Sequence, residues 1–264
     1  MFLSLFSSLT ESPPVDIVWL QDPPSSKGFL PSFTGFKPFP PPIARPRVAC
    51  YVSQKFVQKF EVLPFFPAET DNFMALDIFM PQGCFGSNFP RFRIGNFYAR
   101  PLLPAPYSVS PESSLLDLDY LYLVAGHFNI HNSATDPSRL LSSKEERESA
   151  PYFDLAADLG FTLLNTPGVY TRFPFTGIHR PSAIDLAFAN SCIFSSFRSW
   201  DMSSLPSTGS DHVSITISLR SPSPRNDKPR PCWQEVNWPS LTNKLKKWLV
   251  LPPPETPSLS QLNL

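Results

Sequence analysis

The sequence is poor in cysteine, in net charge and in long apolar runs, and each shortage excludes something. Its four cysteines, Cys50, Cys84, Cys192 and Cys232, include no C-x-x-C pair. That leaves a zinc site without its usual ligand spacing and a disulfide framework without support, so four reduced thiols in an intracellular protein are expected. Basic and acidic side chains balance at 22 each; no global field steers a polyanion, and any nucleic-acid contact must use a local basic patch. No apolar stretch approaches the ~18–20 residues that cross a bilayer. The apolar start, Met1 to Phe6, has no basic residue before Lys27, so a secretory signal is not expected either. No internal repeat is visible. What is abundant is proline, 33 of 264 residues. Each proline removes a backbone donor and blocks a helix interior, which predicts short strands joined by long loops around one sizeable core.

Periodicity and punctuation predict a short helix over 2–10, ended by Pro13-Pro14, and strands over 15–21, 47–52, 73–80, 91–99 and 121–125. The stretch 25–46 has no periodicity and reads as a loop that packs on the body. Ser110-Pro111-Glu112 marks a helix start, and Ala150-Pro151 opens a helix over 152–159 with Gly160 as its stop. Strands over 161–164, 182–188 and 212–219 complete the set. Strands and helices interleave without βαβ regularity, which points to mixed α/β layers around sheets. From Ser221 the chain becomes a proline-rich linker and tail. There Arg220, Arg225, Lys228, Arg230, Lys244, Lys246 and Lys247 outnumber Asp227 and Glu235, and a helix is expected over 239–250. The division expected is a domain over 1–220 and a basic tail over 221–264.

Three apolar strands deliver polar residues at their ends: Leu20-Gln21-Asp22, then Gly126-His127-Phe128-Asn129, then Ile184-Asp185-Leu186. A fourth group, Ser210-Asp211-His212, precedes the last strand. Strand ends are where a rigid scaffold presents reactive groups. Asp22 and Asp211 are hard oxygen donors suited to Mg²⁺. Asp185 beside His212 would form a carboxylate–imidazole pair that orients and charges the ring to face a phosphate. Asn129 could donate to a phosphoryl oxygen or position a water. As a set these residues describe metal-assisted phosphodiester hydrolysis.

The same motifs, with Asn96-Phe97-Tyr98-Ala99-Arg100-Pro101 between the first two, resemble the endonuclease/exonuclease/phosphatase superfamily over roughly residues 10–220. Within it the likeness is to the apurinic-type endonuclease domain of fungal LINE-type (non-LTR) retrotransposon polyproteins. The stretch Arg230-Pro231-Cys232-Trp233-Gln234-Glu235 resembles the connector to reverse transcriptase in those polyproteins. The resemblance implies an α/β four-layer sandwich of two packed mixed β-sheets flanked by helices. It also implies a Mg²⁺-dependent (or Mn²⁺-dependent) nuclease that nicks DNA, with no small-molecule cofactor and no membrane partner, in an intracellular and nuclear setting. By position, Asp22 matches the metal-binding Glu and Asp211 the Ser-Asp-His metal ligand. Tyr98 matches a tyrosine that contacts the scissile phosphate, and Asn129 the substrate-orienting Asn. Asp185 matches the Asp that pairs with the catalytic histidine, which is His212.

Three departures accompany the match. His127 stands where the family has an aspartate that activates water or protonates the leaving group, and general acid–base catalysis is worth roughly 10²–10⁴ in rate. Asp22 is one methylene shorter than the family's Glu. The family's first strand, with an Asn near the metal, would precede residues 2–10, so a truncated, degenerate copy with impaired activity is expected. The alternatives are a catalytically dead relic that keeps the fold and weak nucleic-acid binding, or a phosphatase on the same scaffold. A His127–His131 metal pair has i, i+4 spacing, but it follows a strand at a glycine rather than lying on a helix, so it is not expected.

Overall fold

The structure, a computed structural model, describes residues 15–23, 30–41, 43, 46–66, 71–79, 91–99, 121–176, 180–193, 196–202 and 210–220. The chain divides into Met1–Ser223 and Pro224–Leu264, and everything described lies in the first unit. The helices expected over 2–10, after Ser110 and over 239–250, the connector at 230–235 and the basic tail lie outside the described residues.

Strand β1 (Ile17–Gln21) pairs antiparallel with β3 (Val48–Ser53), and β3 pairs with β2 (Phe36–Phe39), giving a sheet of order β1-β3-β2. A short helix α1 (Gln54–Lys59) follows, capped by the Ser53 hydroxyl, which accepts from the Phe56 amide. A six-stranded mixed sheet comes next, in the order β4-β5-β6-β7-β9-β8. Its strands are β4 (Glu61–Phe65), β5 (Phe73–Phe79), β6 (Arg91–Tyr98), β7 (Leu121–His127), β8 (Phe161–Leu163) and β9 (Asp185–Asn190). Only β6 and β7 run parallel among these pairs. Strands β10 (Phe197–Met202) and β11 (Ile215–Leu219) form a separate antiparallel pair.

The period-2 alternation explains the layers. Val48, Cys50 and Val52 of β3, Met74, Leu76 and Ile78 of β5, and Ala187 and Ala189 of β9 all fall in one buried cluster. This is the seam between the six-stranded sheet and the two smaller sheets, and Trp200, Ile215 and Ile217 join it from β10 and β11. The opposite parity of the large sheet, Phe73, Ala75, Phe97, Leu186 and Phe188, packs with Tyr152, Phe153 and Ala156. Those three belong to α2 (Ser143–Asp158). On the outer face of the three-stranded sheet, Leu20 and Tyr51 meet Phe33 and Phe36. The result is a sandwich of packed β-sheets with a helix layer on one side. No helix among the described residues is long and apolar enough to cross a membrane.

Three sequence expectations are corrected. The segment taken as aperiodic loop over 25–46 contains β2, where Pro38 sits opposite Tyr51. It is an edge strand, so the missing proline donor faces no partner. Helix α2 begins nine residues before 152: the Ser142 hydroxyl accepts from the Glu145 amide and the Glu145 carboxylate accepts from the Ser142 amide. This capping box starts the helix, and Pro151 lies inside it. The strand expected over 182–188 starts at Asp185, which makes that carboxylate the first residue of β9 rather than a mid-strand position.

Candidate active site

The apolar seam ends in polar residues of the same parity. Along β6 the inward series is Ile94, Asn96, Tyr98; along β7 it is Leu123, Ala125, His127; along β9 it is Ala189, Ala187, Asp185. Because β6, β7 and β9 are neighbours, the register sets Tyr98 opposite His127 and His127 opposite Asp185. Three of the residues singled out in the sequence therefore form one row across three strands. The Tyr98 ring stacks on the His127 ring at 5.2 Å between centroids. A side chain at position 126 would overlap the Phe97 carbonyl oxygen, so the close approach of β6 and β7 beside His127 requires glycine.

His212 reaches this row from the loop before β11. Its backbone is held by a bridge to Arg172, which also pairs with Ser182. Asp185 then carries an imidazole on each oxygen: His127 Nδ1 lies 2.9 Å from Oδ1 and His212 Nδ1 lies 2.7 Å from Oδ2. Side-chain exposure is 12% for His127, 13% for Asp185 and 28% for His212, so the group opens to solvent on the His212 side. Burial alone would raise the Asp185 pKa, but the hydrogen bonds from both rings outweigh it and hold the carboxyl at about 2. For His212 burial acts downward, yet the hydrogen bond and charge of Asp185 prevail and raise it above the ordinary value. A nitrogen of each ring and a carboxylate oxygen of Asp185 lie within 4.8 Å of one another, a donor set able to hold a metal ion.

The two carboxylates suggested for Mg²⁺ are placed differently. Asp22 follows β1 on the facing sheet, 48% exposed, and its Oδ1 accepts from Arg47 at 2.5 Å. Arg47 in turn lies 5.8 Å over the Tyr98 ring. Asp211 Oδ2 accepts from Arg172 Nε at 2.8 Å, while its Oδ1 stands 3.8 Å from His212 Nε2. Asn129, two residues beyond β7, is half-buried and its backbone donates to the Ile184 carbonyl. Asp22 and Asn129 are the two non-glycine residues among those described with left-handed φ, 44° and 53°. Asp and Asn tolerate that region best, and such backbones cluster at functional sites. The contacts run from Asp22 through Arg47, Tyr98, His127, Asp185 and His212 to Asp211 and Arg172. His131 is not part of this group; it lines a cavity of about 460 Å³ with Ser138, Arg139, Leu140, Arg172, Arg180 and Ser182.

Several supporting residues escaped the sequence reading. The fully buried Thr171 accepts the amides of Ile184 and Asp185 on its hydroxyl. The Asn165 side chain donates to the Asp185 carbonyl and accepts from the Ala187 amide. Together they fix the start of β9. Asn96, fully buried, donates to the Leu20 and Ala49 carbonyls and accepts from Gln21 Nε2, tying the two facing sheets together beside the site. The tie made by Asn96 was not read from the sequence, where the residue stood only at the head of the Asn96–Pro101 motif and as a polar residue at an inward position of an otherwise apolar strand.

The sequence matches no family model and no curated protein. The fold has solved counterparts. The endonuclease domain of TRAS1, a telomere-specific non-LTR retrotransposon, superposes with a TM-score of 0.64 at 16% identity, covering 84% of this chain and 93% of that one. The AP endonuclease LMAP from Leishmania major gives 0.61 at 16% identity, covering 83% and 82%. The 3′ phosphatase NExo from Neisseria, bound to product DNA hairpin, gives 0.52 at 19% identity, covering 81% and 92%. The chain thus has the endonuclease/exonuclease/phosphatase fold.

Proposed function

We propose that the chain is a phosphodiester hydrolase that nicks DNA, with His212 and Asp185 at its centre and a rate lowered by His127. The observation that carries this reading is the Asp185 carboxylate clamped between two imidazoles at the polar end of the seam, within a fold shared with nucleases and a 3′ phosphatase. A DNA substrate also suits the arginines of the adjoining cavity, Arg139, Arg172 and Arg180, since phosphate contacts supply most of the affinity for nucleic acid.

Asp185 orients His212 through Nδ1 and favours its charged form, so the ring's Nε2–H can stabilise charge on a phosphoryl oxygen. Tyr98, on the neighbouring strand, offers a hydroxyl to the same phosphate, and the Asn129 amide orients the substrate. Water adds to phosphorus and the P–O3′ bond breaks; one proton leaves the water and one reaches the O3′ oxygen. His127 occupies the position of that proton exchange. Its Nδ1 is committed to Asp185, and the pairing of both rings to one carboxylate limits its freedom as a base.

A Mg²⁺ ion would require near-octahedral oxygen ligands. Asp22 and Asp211 each share an oxygen with an arginine, and the donor set that converges carries two nitrogens. These residues as they stand do not fit Mg²⁺. The same arginines favour a second reading, a relic that binds the DNA backbone without cutting it.

Plasmid nicking by the purified chain, with Mg²⁺, Mn²⁺ or Zn²⁺, separates the two readings when compared with His127→Asp. Slow nicking by the native chain, raised about 10²-fold by the aspartate, supports the hydrolase. Absence of cleavage by both proteins, with salt-sensitive DNA binding retained, supports the relic.

A further inference from the structure

We infer that His127, Asp185 and His212 form a binding site for a transition-metal ion of the Zn²⁺ class, in place of an oxygen-ligated Mg²⁺ site. Two imidazole nitrogens and one carboxylate oxygen within 4.8 Å make a mixed nitrogen–oxygen set. Imidazole ligands suit Zn²⁺, Co²⁺ and Ni²⁺, whereas Mg²⁺ selects carboxylates, carbonyls and water. Three protein ligands with one open position is also the arrangement of zinc sites that keep a water, and His212, at 28% side-chain exposure, is the most open of the three.

The donors are held in place before any ion binds. His127 and Asp185 are register partners on adjacent strands. The Asp185 backbone is fixed by Thr171 and Asn165, and the His127 ring lies against Tyr98. Such outer contacts orient ligands and raise metal affinity. Of the hard carboxylates nearby, Asp22 Oδ1 and Asp211 Oδ2 are held by Arg47 and Arg172, and neither residue belongs to the converging donor set. With neutral rings the three ligands carry one negative charge, which leaves a bound divalent ion partly uncompensated and able to polarise a water or a phosphoryl oxygen. The site stands on geometry alone. A His212 ring that ligates the ion cannot also carry the charge that the hydrolase reading gives it, so the two uses of Asp185 and His212 are alternatives.

The test is metal uptake by the full chain after stripping with a chelator. Zn²⁺ is measured by equilibrium dialysis against a large excess of Mg²⁺, and Co²⁺ is followed by its visible absorption. One Zn²⁺ per chain, undisturbed by Mg²⁺, and a Co²⁺ spectrum with intense low-symmetry bands support the site. His127→Ala and His212→Ala should each weaken Zn²⁺ binding at least about 100-fold, and His131→Ala should leave it unchanged. No Zn²⁺ uptake at micromolar concentration by the native chain overturns the proposal whether or not the variants fold. Uptake that survives both His127→Ala and His212→Ala in folded protein overturns it too. Zn²⁺ uptake without DNA nicking keeps the site and removes the hydrolase reading; Mg²⁺-driven nicking without Zn²⁺ uptake does the reverse.

Discussion

On the six-stranded sheet the apolar seam ends in Tyr98, His127 and Asp185, one row on three adjacent strands. On the facing three-stranded sheet it ends in Gln21 and Asp22, which turn toward Asn96 and Arg47. The first end is enclosed, with Asp185 13% exposed and both oxygens engaged; the second is open, with Asp22 48% exposed and one oxygen shared with a cation. The difference follows from strand order. A central position places a side chain between two neighbours of matching parity, whereas the end of β1 has only β3 beside it. Enclosure fixes geometry, so the large sheet carries the pre-oriented polar groups and the small sheet the open, exposed ones.

Truncation breaks this contrast most severely. Asp185→Ala should lower any phosphodiester-cleaving rate by about 10³-fold, roughly 4 kcal/mol of barrier, while Asp22→Ala should lower it no more than about tenfold; single-turnover cleavage of a labelled duplex compares them. A change at the tie between the sheets comes next. Asn96→Ala leaves Gln21 and two buried carbonyls without their partner and should cost about 2–3 kcal/mol in urea unfolding.

The pH dependence separates the two ends more finely. Asp185 is held at about 2, below its ordinary 3.8. Its contribution, on the order of 2 kcal/mol, is present above the ordinary value and is lost as pH falls toward about 2. His212 is shifted upward, so its contribution is complete below its ordinary 6.5 and is lost as pH rises through the raised value. Denaturant midpoints should therefore be highest between about pH 4 and 6.5, and His212→Gln should flatten the alkaline side of that profile. The smallest effect belongs to the exposed pair: Arg47→Ala should change stability by under about 1 kcal/mol. A larger loss would show that the open end is held as firmly as the enclosed one.

Much of this arrangement was legible in the sequence, and what was hidden has physical reasons. The apolar runs of β1, β3 and β5 and the rough alternation of β6 were plain, and the motifs at Asp22, His127, Asp185 and Asp211-His212 announced polar groups at strand ends. Strands β2 and β4 were hidden by Pro38 and Pro64, because a proline reads as a loop until sheet order shows that both strands are edges. The start of α2 was masked by Pro151 in the same way, although Ser142 and Glu145 carried the capping signal. The partners Arg47 and Arg172 could not be read from the sequence at all: each meets its carboxylate across 25 and 39 residues, a pairing that only tertiary register decides.

Gly126 gives the molecule an interchangeable socket. The close approach of β6 and β7 depends on the missing side chain at position 126, so the contact of the two backbones there does not rest on the group mounted at 127. Aspartate, asparagine, cysteine or histidine can then be exchanged at 127 as if swapping tips on one tool, and any change in metal preference or cleavage reports the mounted group rather than a shifted frame.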